Sequence, residues 1–415
     1  MFPNAELRIC PLAAEMPMRI LFVSPYFPIP QRSGGKVRVF HVLRELARTE
    51  QVTLVCYLSE ESEPFVQEVE RWGVEVRSIP KEIRRRPLAR HVRYLATPIP
   101  FSLVDPDPLM QDLVCQLWEE RPYDVLQVEF LAMGYVASDP MFEGRRFLTH
   151  HYSATDHFQR VLGIRSKTSL RYWSDLIESI KVSPYERKIL SQFTSVFVTS
   201  EQDRKLLSSV APEAALVVAN NGVDADFYRR SLPNDDARSR HLVSTCSFKT
   251  DANIDSVVWF VQEVWPLILR QEPDARYEIV GYDPPEVVRR AAARSSGVTV
   301  SGGVEDVRPC LEGAAASLIT MRAGSGTKIR ALTSLAMGCP IIATPLGAEG
   351  LQAGEPEGVL VGESPEALAS LAIDLLRHGV ARPTRERARA HVEQHHSWKN
   401  AVDTMRRSYE EALCR

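Results

Sequence analysis

A short run of glycine and hydroxyl residues followed by a lysine carries the clearest chemical signal in the sequence. Gly324, Ser325, Gly326 and Thr327 stand directly before Lys328 and an apolar pattern with helical spacing. A glycine-rich turn that opens a helix presents free backbone N–H groups and the positive end of the helix dipole. Lys328 adds a point charge and Thr327 a hydroxyl donor. The pattern predicts an anion site, although a tight strand-to-helix turn without a ligand needs the same glycines.

The elements around this turn alternate between strand and helix patterns. The first half opens with an apolar strand at 18–23, a loop that ends in Gly34-Gly35, a helical pattern at 37–46 and a second strand at 52–56. This order is a βαβ unit, and apolar runs of this length are typical of buried parallel strands. Further strands are predicted in both halves, at 74–76, 125–128, 146–149, 196–199, 216–218, 241–245, 276–280, 298–300, 316–319 and 340–343.

This alternation predicts an α/β fold of two doubly wound parallel sheets. A chain of 415 residues also exceeds the size at which a single hydrophobic core stops growing. We expect a disordered extension at 1–17, a first domain at 18–205, a second domain at 206–396 and a final helix at 397–415 that crosses back to the first domain.

Composition and charge limit the classes of partner and compartment. The formal net charge of −3 argues against nucleic acid as the main partner. The seven cysteines are scattered and lack metal-ligand spacing, so we expect reduced thiols in a cytoplasmic protein. No apolar stretch is long enough to span a bilayer, and the first residues lack the pattern of a secretory signal.

The sequence resembles the family 4 type of retaining GT-B glycosyltransferases, and most closely a bacterial subgroup associated with polysaccharide assembly. The resemblance covers nearly the whole chain from Met18. It is carried in order by RILFVSPYFPIPQRSGGKVRVFHVLREL, PYERKILSQFTSVFVTSEQDRKLL, NNGVDADFY and the region 251–351, which ends in the glycine-rich segment. Several dispersed matches in the correct order are more specific than one motif.

The resemblance implies two facing Rossmann-like domains and a nucleotide-diphosphate sugar as donor, held mainly by the second domain. The acceptor, a glycan, a lipid-linked sugar or a small molecule, would lie against the first domain, and no cofactor or metal is expected. By the same resemblance, Gly34 and Gly35 approach the donor diphosphate, and the loop containing Gly303 lies near the nucleotide base. Glycines without side chains let the backbone come close to such a ligand.

Four positions depart from the family pattern. Ser325 and Thr333 stand where family members carry two glutamates, the second of which binds the nucleotide ribose. A hydroxyl makes weaker, single contacts where a carboxylate accepts two ribose hydroxyls. Lys249 lies where an arginine and a lysine are common, and we expect it to compensate. Glu129 replaces a histidine that commonly follows the strand at 125–128.

These departures leave several functions open. The first is an active, metal-independent hexosyltransferase that keeps the anomeric configuration and uses Lys328 on the departing diphosphate. The second is a degenerate partner subunit that keeps the fold but lacks its own activity. A nucleotide-sugar epimerase on the same fold is a third alternative. In the first domain, Glu129 is a candidate to accept a bond from a substrate hydroxyl, and His150 or His151 to orient a substrate, against the alternative that they are ordinary loop residues.

A basic run occupies residues 81–93, in a chain that is otherwise nearly neutral. Such a run attracts anionic lipid headgroups by about 1 kcal/mol per basic residue near the surface. A solvated face or an acceptor-phosphate site accounts for it equally well. The sequence therefore leaves peripheral contact with the inner face of a membrane open, and it leaves the oligomeric state undetermined.

Overall fold

The computed structural model describes residues 16–81, 97–100, 103–231, 239–324 and 326–414, and within them the backbone forms two parallel β-sheets. The first sheet has seven strands in the order β3-β2-β1-β4-β5-β6-β7. Its strands are β1 (Arg19–Ser24), β2 (Gln51–Leu58), β3 (Glu75–Pro80), β4 (Val125–Glu129), β5 (Arg146–His150), β6 (Ser195–Val198) and β7 (Leu216–Val218).

The second sheet has six strands in the order β10-β9-β8-β11-β12-β13. Its strands are β8 (His241–Thr245), β9 (Arg276–Val280), β10 (Val298–Gly302), β11 (Ala316–Ile319), β12 (Ile341–Ala343) and β13 (Val359–Val361). In both sheets the order reverses beside the first strand, which is the doubly wound topology that the sequence predicts. Ligands of such folds bind outside the carboxyl ends of the strands, at this switch point.

Helices connect the strands of both sheets. They are α1 (Gly34–Leu46), α2 (Val66–Glu70), α3 (Pro108–Glu120), α4 (Ala154–Ile164), α5 (Leu170–Leu190), α6 (Glu201–Val210), α7 (Asp251–Trp259), α8 (Trp265–Leu269), α9 (Glu286–Ala293), α10 (Arg308–Glu312), α11 (Ile329–Ala336), α12 (Pro365–His378), α13 (Arg382–His395) and α14 (Trp398–Leu413). A π-helical segment at Phe260–Val264 joins α7 to α8, and 3₁₀ segments lie at Glu63–Phe65, Leu131–Ala137, Pro140–Phe142 and Glu355–Glu357.

The central strands are buried on both faces, so they are almost entirely apolar. In β1 the side chains of Ile20, Leu21, Phe22 and Val23 are all fully buried. Alternate residues enter two different apolar layers, because successive side chains of a strand point to opposite faces: Leu21 and Val23 lie in one cluster, Ile20 and Phe22 in the other. The apolar run is therefore required by the helices that cover both faces.

The first sheet extends further along the chain than we expected. Strand β7 pairs in parallel with β6, in the register Val196 with Leu216 and Val198 with Val218. The expected division at 205–206 would have assigned this strand to the second domain. Its pairing with β6 moves the end of the first sheet to Val218, because sheet membership is decided by hydrogen bonds that the local pattern does not reveal.

The last helix, α14, lies on the first domain. Trp398, Met405 and Tyr409 pack in the same apolar cluster as Phe22 and Val39. The Tyr409 hydroxyl donates to Gln127 Oε1 over 2.7 Å, and Trp398 stacks on His41 with ring centroids 5.1 Å apart. The C-terminal segment therefore ties the second half of the chain to the core under β4.

None of the helices within the described ranges is long and apolar enough to cross a bilayer.

Candidate functional site

The cleft is the space between the two domains, outside the carboxyl ends of their strands. Tightly packed aromatic rings around Gly35 form its first-domain edge. A Cβ atom built on Gly35 would lie 2.6 Å from Phe130 Cζ and would also overlap the Tyr26 hydroxyl. Phe130 adopts φ 71, which is unusual for a residue with a side chain, and its ring stacks on His151 at a centroid distance of 3.7 Å. Glycine is required at position 35 because α1 begins against these rings.

Glu129, at the end of β4, is buried beneath these rings and is fully engaged. Its Oε1 accepts from Thr149 Oγ1 at 2.7 Å and from Gln127 Nε2 at 3.0 Å, and its Oε2 lies 2.9 Å from His151 Nε2. The side chain is completely buried. The expected direct contact with a substrate hydroxyl is therefore wrong for this structure, because three protein groups use both oxygens. Glu129 acts on His151, as a positioning residue.

The pairing fixes the chemical state of His151. Burial lowers the pKa of the imidazole, and the hydrogen bond that His151 donates to Glu129 opposes that shift. Because a carboxylate accepts but cannot donate, the neutral ring must carry its proton on Nε2. Its Nδ1 then has a lone pair with no donor among the described residues. His151 is therefore suited to accept a hydrogen bond from a hydroxyl.

His150 takes a different place from its neighbour. Its Nε2 lies 2.6 Å from Glu186 Oε1, and both side chains are buried. Glu186 also accepts from the backbone N–H groups of Ala154 and Thr155, at the start of α4. Of the two candidate histidines, His150 is thus held in a buried network with Glu186 and the start of α4.

On the second domain, the glycine-rich turn packs directly against the first domain. Gly326 has φ 76, and a Cβ atom built on it would lie 2.9 Å from the carbonyl oxygen of His151. The Thr327 hydroxyl donates to the carbonyl of Thr199 at 3.3 Å. The expected role of Thr327 as a donor to phosphate is wrong in this arrangement, because its hydroxyl joins the two domains. Gly324, with φ 102, accepts from Arg160 through its carbonyl, and Ser325 lies outside the described residues.

Lys328 is a buried cation without a close partner. It is the N-cap residue of α11, its side chain is 8% exposed, and its Nζ lies 3.9 Å from Glu349 Oε2. That carboxylate is already bonded to Arg160 at 2.9 Å and to Gln202 at 2.8 Å, and Nζ has no hydrogen-bond acceptor among the described residues. Burial lowers the pKa of Lys328 to about 8. An anion beside Nζ would satisfy this charge.

Three further cations border the same region. Arg330 lies beside the end of β8. It donates to Asn253 Oδ1 at 3.1 Å and contacts Met321 Sδ at 2.8 Å. Its Nε is buried and has no acceptor among the described residues. Burial lowers the pKa of Lys36, and the nearby charge of Lys249 lowers it further. Neither lysine forms an ion pair with the part of the chain that is described.

The starts of α1 and α11 face each other within this group. A methyl group built on Gly34 would lie 3.7 Å from Ile329 Cδ1. Neither helix has a hydrogen-bonding side chain at its N-cap, Ser33 or Lys328, so the first-turn N–H groups lack that acceptor. The starts of two helices and the buried nitrogens of Lys328 and Arg330 thus bring positive potential to one region, where the Glu349 carboxylate opposes it.

Two other residues that were predicted to contact the nucleotide sugar, Thr333 and Gly303, make contacts within the protein instead. The Thr333 hydroxyl donates to the carbonyl of Ile329 at 3.2 Å, within its own helix, and the residue is buried. It does not replace the ribose-binding glutamate of the resemblance. Gly303 lies under the ring of Tyr282, where a Cβ atom would overlap it, and Arg32 of the first domain lies over that ring at 5.0 Å. The Tyr282 ring therefore lies between the expected base loop and Arg32 of the first domain.

Comparison with known proteins agrees with this two-domain geometry. Residues 239–378 match the family model of glycosyl transferases group 1. No curated protein sequence matches the chain. The model match covers the second domain only, from before β8 to the end of α12, and it includes the glycine-rich turn.

Solved structures match over nearly the full length. Sucrose-phosphate synthase from Thermosynechococcus elongatus aligns with a TM-score of 0.72 at 16% identity, covering 96% of this chain and 99% of that one. Anabaena Alr3699/HepE, solved in complex with UDP and glucose, aligns with a TM-score of 0.66 at 14% identity, covering 94% and 98%. A glycosyltransferase from Rickettsia africae aligns with a TM-score of 0.63 at 15% identity, covering 96% and 99%. The chain has the GT-B fold.

Within this GT-B fold, sequence reasoning missed Arg330 and Lys36. Both stand two residues after the start of their segments, Arg330 after Lys328 and Lys36 after Gly34. A basic residue in the first turn of a helix is unfavourable beside the helix dipole, and this is a local signal that a negative ligand compensates. The resemblance predicts an arginine in the segment after β8, whereas the guanidinium that lies beside this segment, that of Arg330, comes from α11.

Proposed function

We propose that the protein is a retaining glycosyltransferase that moves a sugar from a nucleoside-diphosphate sugar to an acceptor hydroxyl. The observation that carries the proposal is Lys328, a buried cation whose Nζ has no hydrogen-bond acceptor among the described residues, at the start of α11 and opposite the Gly34-Gly35 start of α1. The family match of residues 239–378 supports a nucleotide sugar as donor. Because HepE was solved in complex with UDP, UDP is the first nucleotide to test.

The positive group would act on the leaving diphosphate. As the bond between the sugar C1 and the phosphate oxygen breaks, negative charge develops on that oxygen, and Lys328 with the N-terminal amides of α11 stabilises it. Arg330 and Lys249 hold the remaining phosphate oxygens from the second domain, and Lys36 approaches from the first. These groups are fixed before the reaction, so the protein supplies positioning and electrostatics.

His151 would orient a substrate hydroxyl in the same proposal. Its Nδ1 lone pair accepts a hydrogen bond, while Glu129 and the ring of Phe130 hold the imidazole in place. The acceptor enters along the first domain and forms its new bond to C1 as the diphosphate departs. Its hydroxyl proton passes to the diphosphate, so that charge and atoms balance.

The proposal is tested by calorimetric titration with UDP, GDP, TDP and ADP and their common sugar conjugates. We expect one nucleotide to bind, and Lys328→Ala and Arg330→Ala to weaken it by at least about tenfold, which is one charge-assisted hydrogen bond. Lys205→Ala, which removes an exposed lysine on α6, is the matched control. We also propose that no divalent metal takes part, so EDTA should leave binding and transfer unchanged.

The departure at Thr333 favours one alternative, a partner subunit without its own activity. The hydroxyl that replaces the ribose-binding carboxylate is bonded to its own helix. If a nucleotide sugar binds but neither hydrolysis nor transfer is detected with any acceptor, the subunit function gains support. If no nucleotide binds, the glycosyltransferase proposal is wrong. Turnover of the nucleotide sugar without any acceptor would instead indicate an epimerase.

A further inference from the structure

Helix α5 exposes apolar side chains along its solvent face. The large apolar residues at spacings of three and four residues lie on one side of a helix. On α5 these are Leu170, exposed by 89%, Trp173 by 56%, Ile177 by 38% and Ile180 by 70%. Burial in the folded monomer cannot account for this stripe, because each member is exposed to solvent.

The opposite face of α5 holds carboxylates in the interior. Glu178 and Glu186 are completely buried, and Glu186 is bonded to His150 and to the start of α4. A surface helix normally buries its apolar side and exposes its charges. Although α5 also buries Val182, Ile189 and Leu190, four of its large apolar side chains remain on the surface, and contiguous apolar surface of this kind marks an interaction site.

The charges around the stripe are positive. The exposed charged residues of the segment 165–190 are Lys167, Arg171, Arg187 and Lys188. Arg171 and Arg187 pair with Asp251 and Glu213, whereas Lys167 and Lys188 have no ion-pair partner in the described part of the chain. One unpaired lysine therefore stands near each end of the stripe.

This pattern favours an anionic lipid bilayer over a second copy of the chain. A helix that lies in a bilayer interface combines large apolar residues, often tryptophan, with flanking lysines. In a symmetric antiparallel contact centred on the stripe, Leu170 faces Ile180, so Lys167 of one copy and Lys188 of the other lie at the same end of the contact, and like charges repel. The same lysines are attracted to anionic headgroups.

We propose that the exposed face of α5 docks the protein on an anionic membrane surface. Trp173 and Ile180 enter the headgroup region, and Lys167 and Lys188 contact lipid phosphates. Through Glu186, α5 holds the start of α4, directly after His150 and His151, so docking brings the first-domain edge of the cleft towards the bilayer. This surface is independent of the donor site, and its test does not depend on the proposed reaction.

The experiment is cosedimentation of the full chain with vesicles of pure phosphatidylcholine and with vesicles that also contain phosphatidylglycerol. We expect binding to the anionic vesicles and at least about a tenfold loss of affinity in Trp173→Ser/Ile180→Ser, from the apolar area removed. The matched control is Leu109→Ser/Val361→Ser, which alters two residues that are 58% and 46% exposed elsewhere on the surface. It should bind like the unchanged protein.

A second double variant tests the electrostatic contribution to vesicle binding. Lys167→Gln/Lys188→Gln should weaken binding to the anionic vesicles and make the remaining binding insensitive to salt. Thermal unfolding of every variant should match the unchanged protein, because all the altered side chains are exposed. Failure of the unchanged protein to bind either vesicle, or equal binding by Trp173→Ser/Ile180→Ser, would overturn the proposal. So would a dimer in solution that this variant dissociates, since the stripe would then be a self-association surface.

Discussion

The two edges of the cleft satisfy their buried polar groups in opposite ways. On the first-domain edge, Glu129 is bonded to three side chains and His150 is paired with Glu186. On the second-domain edge, Lys328 and Arg330 retain buried nitrogens without acceptors among the described residues. A satisfied network holds groups in place, whereas an unsatisfied buried cation costs stability that a bound anion restores. In the proposed function the first edge therefore positions the substrate, and the second binds it.

Replacing Lys328 should have the largest effect on nucleotide binding, the property that distinguishes the two edges. We expect Lys328→Met to weaken binding of the nucleotide by about 100-fold, since a buried charge-assisted contact contributes about 1.5–3 kcal/mol. The same change should raise the free energy of unfolding without ligand by about 1–3 kcal/mol, because burial of the ammonium lowers its pKa to about 8. Calorimetry and urea unfolding measure the two quantities. Lower stability together with weaker binding would mean that Lys328 is a structural residue.

Gly35→Ala tests the packing of the first edge. The added methyl group meets Phe130 at 2.6 Å and also Tyr26, so we expect a loss of about 2 kcal/mol in the free energy of unfolding, as for other overpacked sites. Gly163→Ala, on the same domain in α4, is the matched control because a Cβ atom there meets nothing within 4 Å. That variant should be unchanged or slightly more stable. Equal effects of the two substitutions would show that Phe130 moves aside readily.

Thr149→Val should separate positioning from binding. It removes a donor to Glu129 and an acceptor for Gln127, so unfolding should become easier by about 1–2 kcal/mol. Nucleotide affinity should change by less than about threefold, because Thr149 lies on the edge that does not bind the phosphates. The calorimetric titrations used for Lys328→Met measure the nucleotide affinity of this variant as well. A drop in affinity as large as that of Lys328→Met would contradict the division between the edges.

The pH dependence of nucleotide binding should be the most gradual effect: affinity is constant below pH 8 and falls above it by at most about tenfold per pH unit. Lys328 binds an anion in its protonated form, and the fraction protonated falls as pH rises through its pKa of about 8. In the absence of ligand the sign is reversed for stability: the lowered pKa makes the charged form costly below pH 8, and that cost disappears between pH 8 and the ordinary lysine value. Lys328→Arg should bind independently of pH over this range, and the same slope in that variant would assign the titration to another group.

The sequence determined the two-sheet architecture and the position of the glycine-rich turn. Strand and helix patterns follow from burial on one or both faces of each element, so the local order of apolar residues is sufficient. The glycine-rich turn was visible for the same reason, because positive φ at Gly324 and Gly326 is a local requirement.

Only the tertiary structure decided which of the candidate residues meet. Gln127, Glu129, Thr149 and His151 come from two strands and form one network, and Arg330 reaches the end of β8 from another helix. Thr327, predicted to contact phosphate, instead contacts Thr199 across the domains. On α5 one stripe of apolar residues faces solvent, while Glu178 and Glu186 face inwards beside Val182 and Ile189, which helical spacing alone does not reveal. Spacing fixes which residues share a face, but the neighbouring elements fix which face is buried.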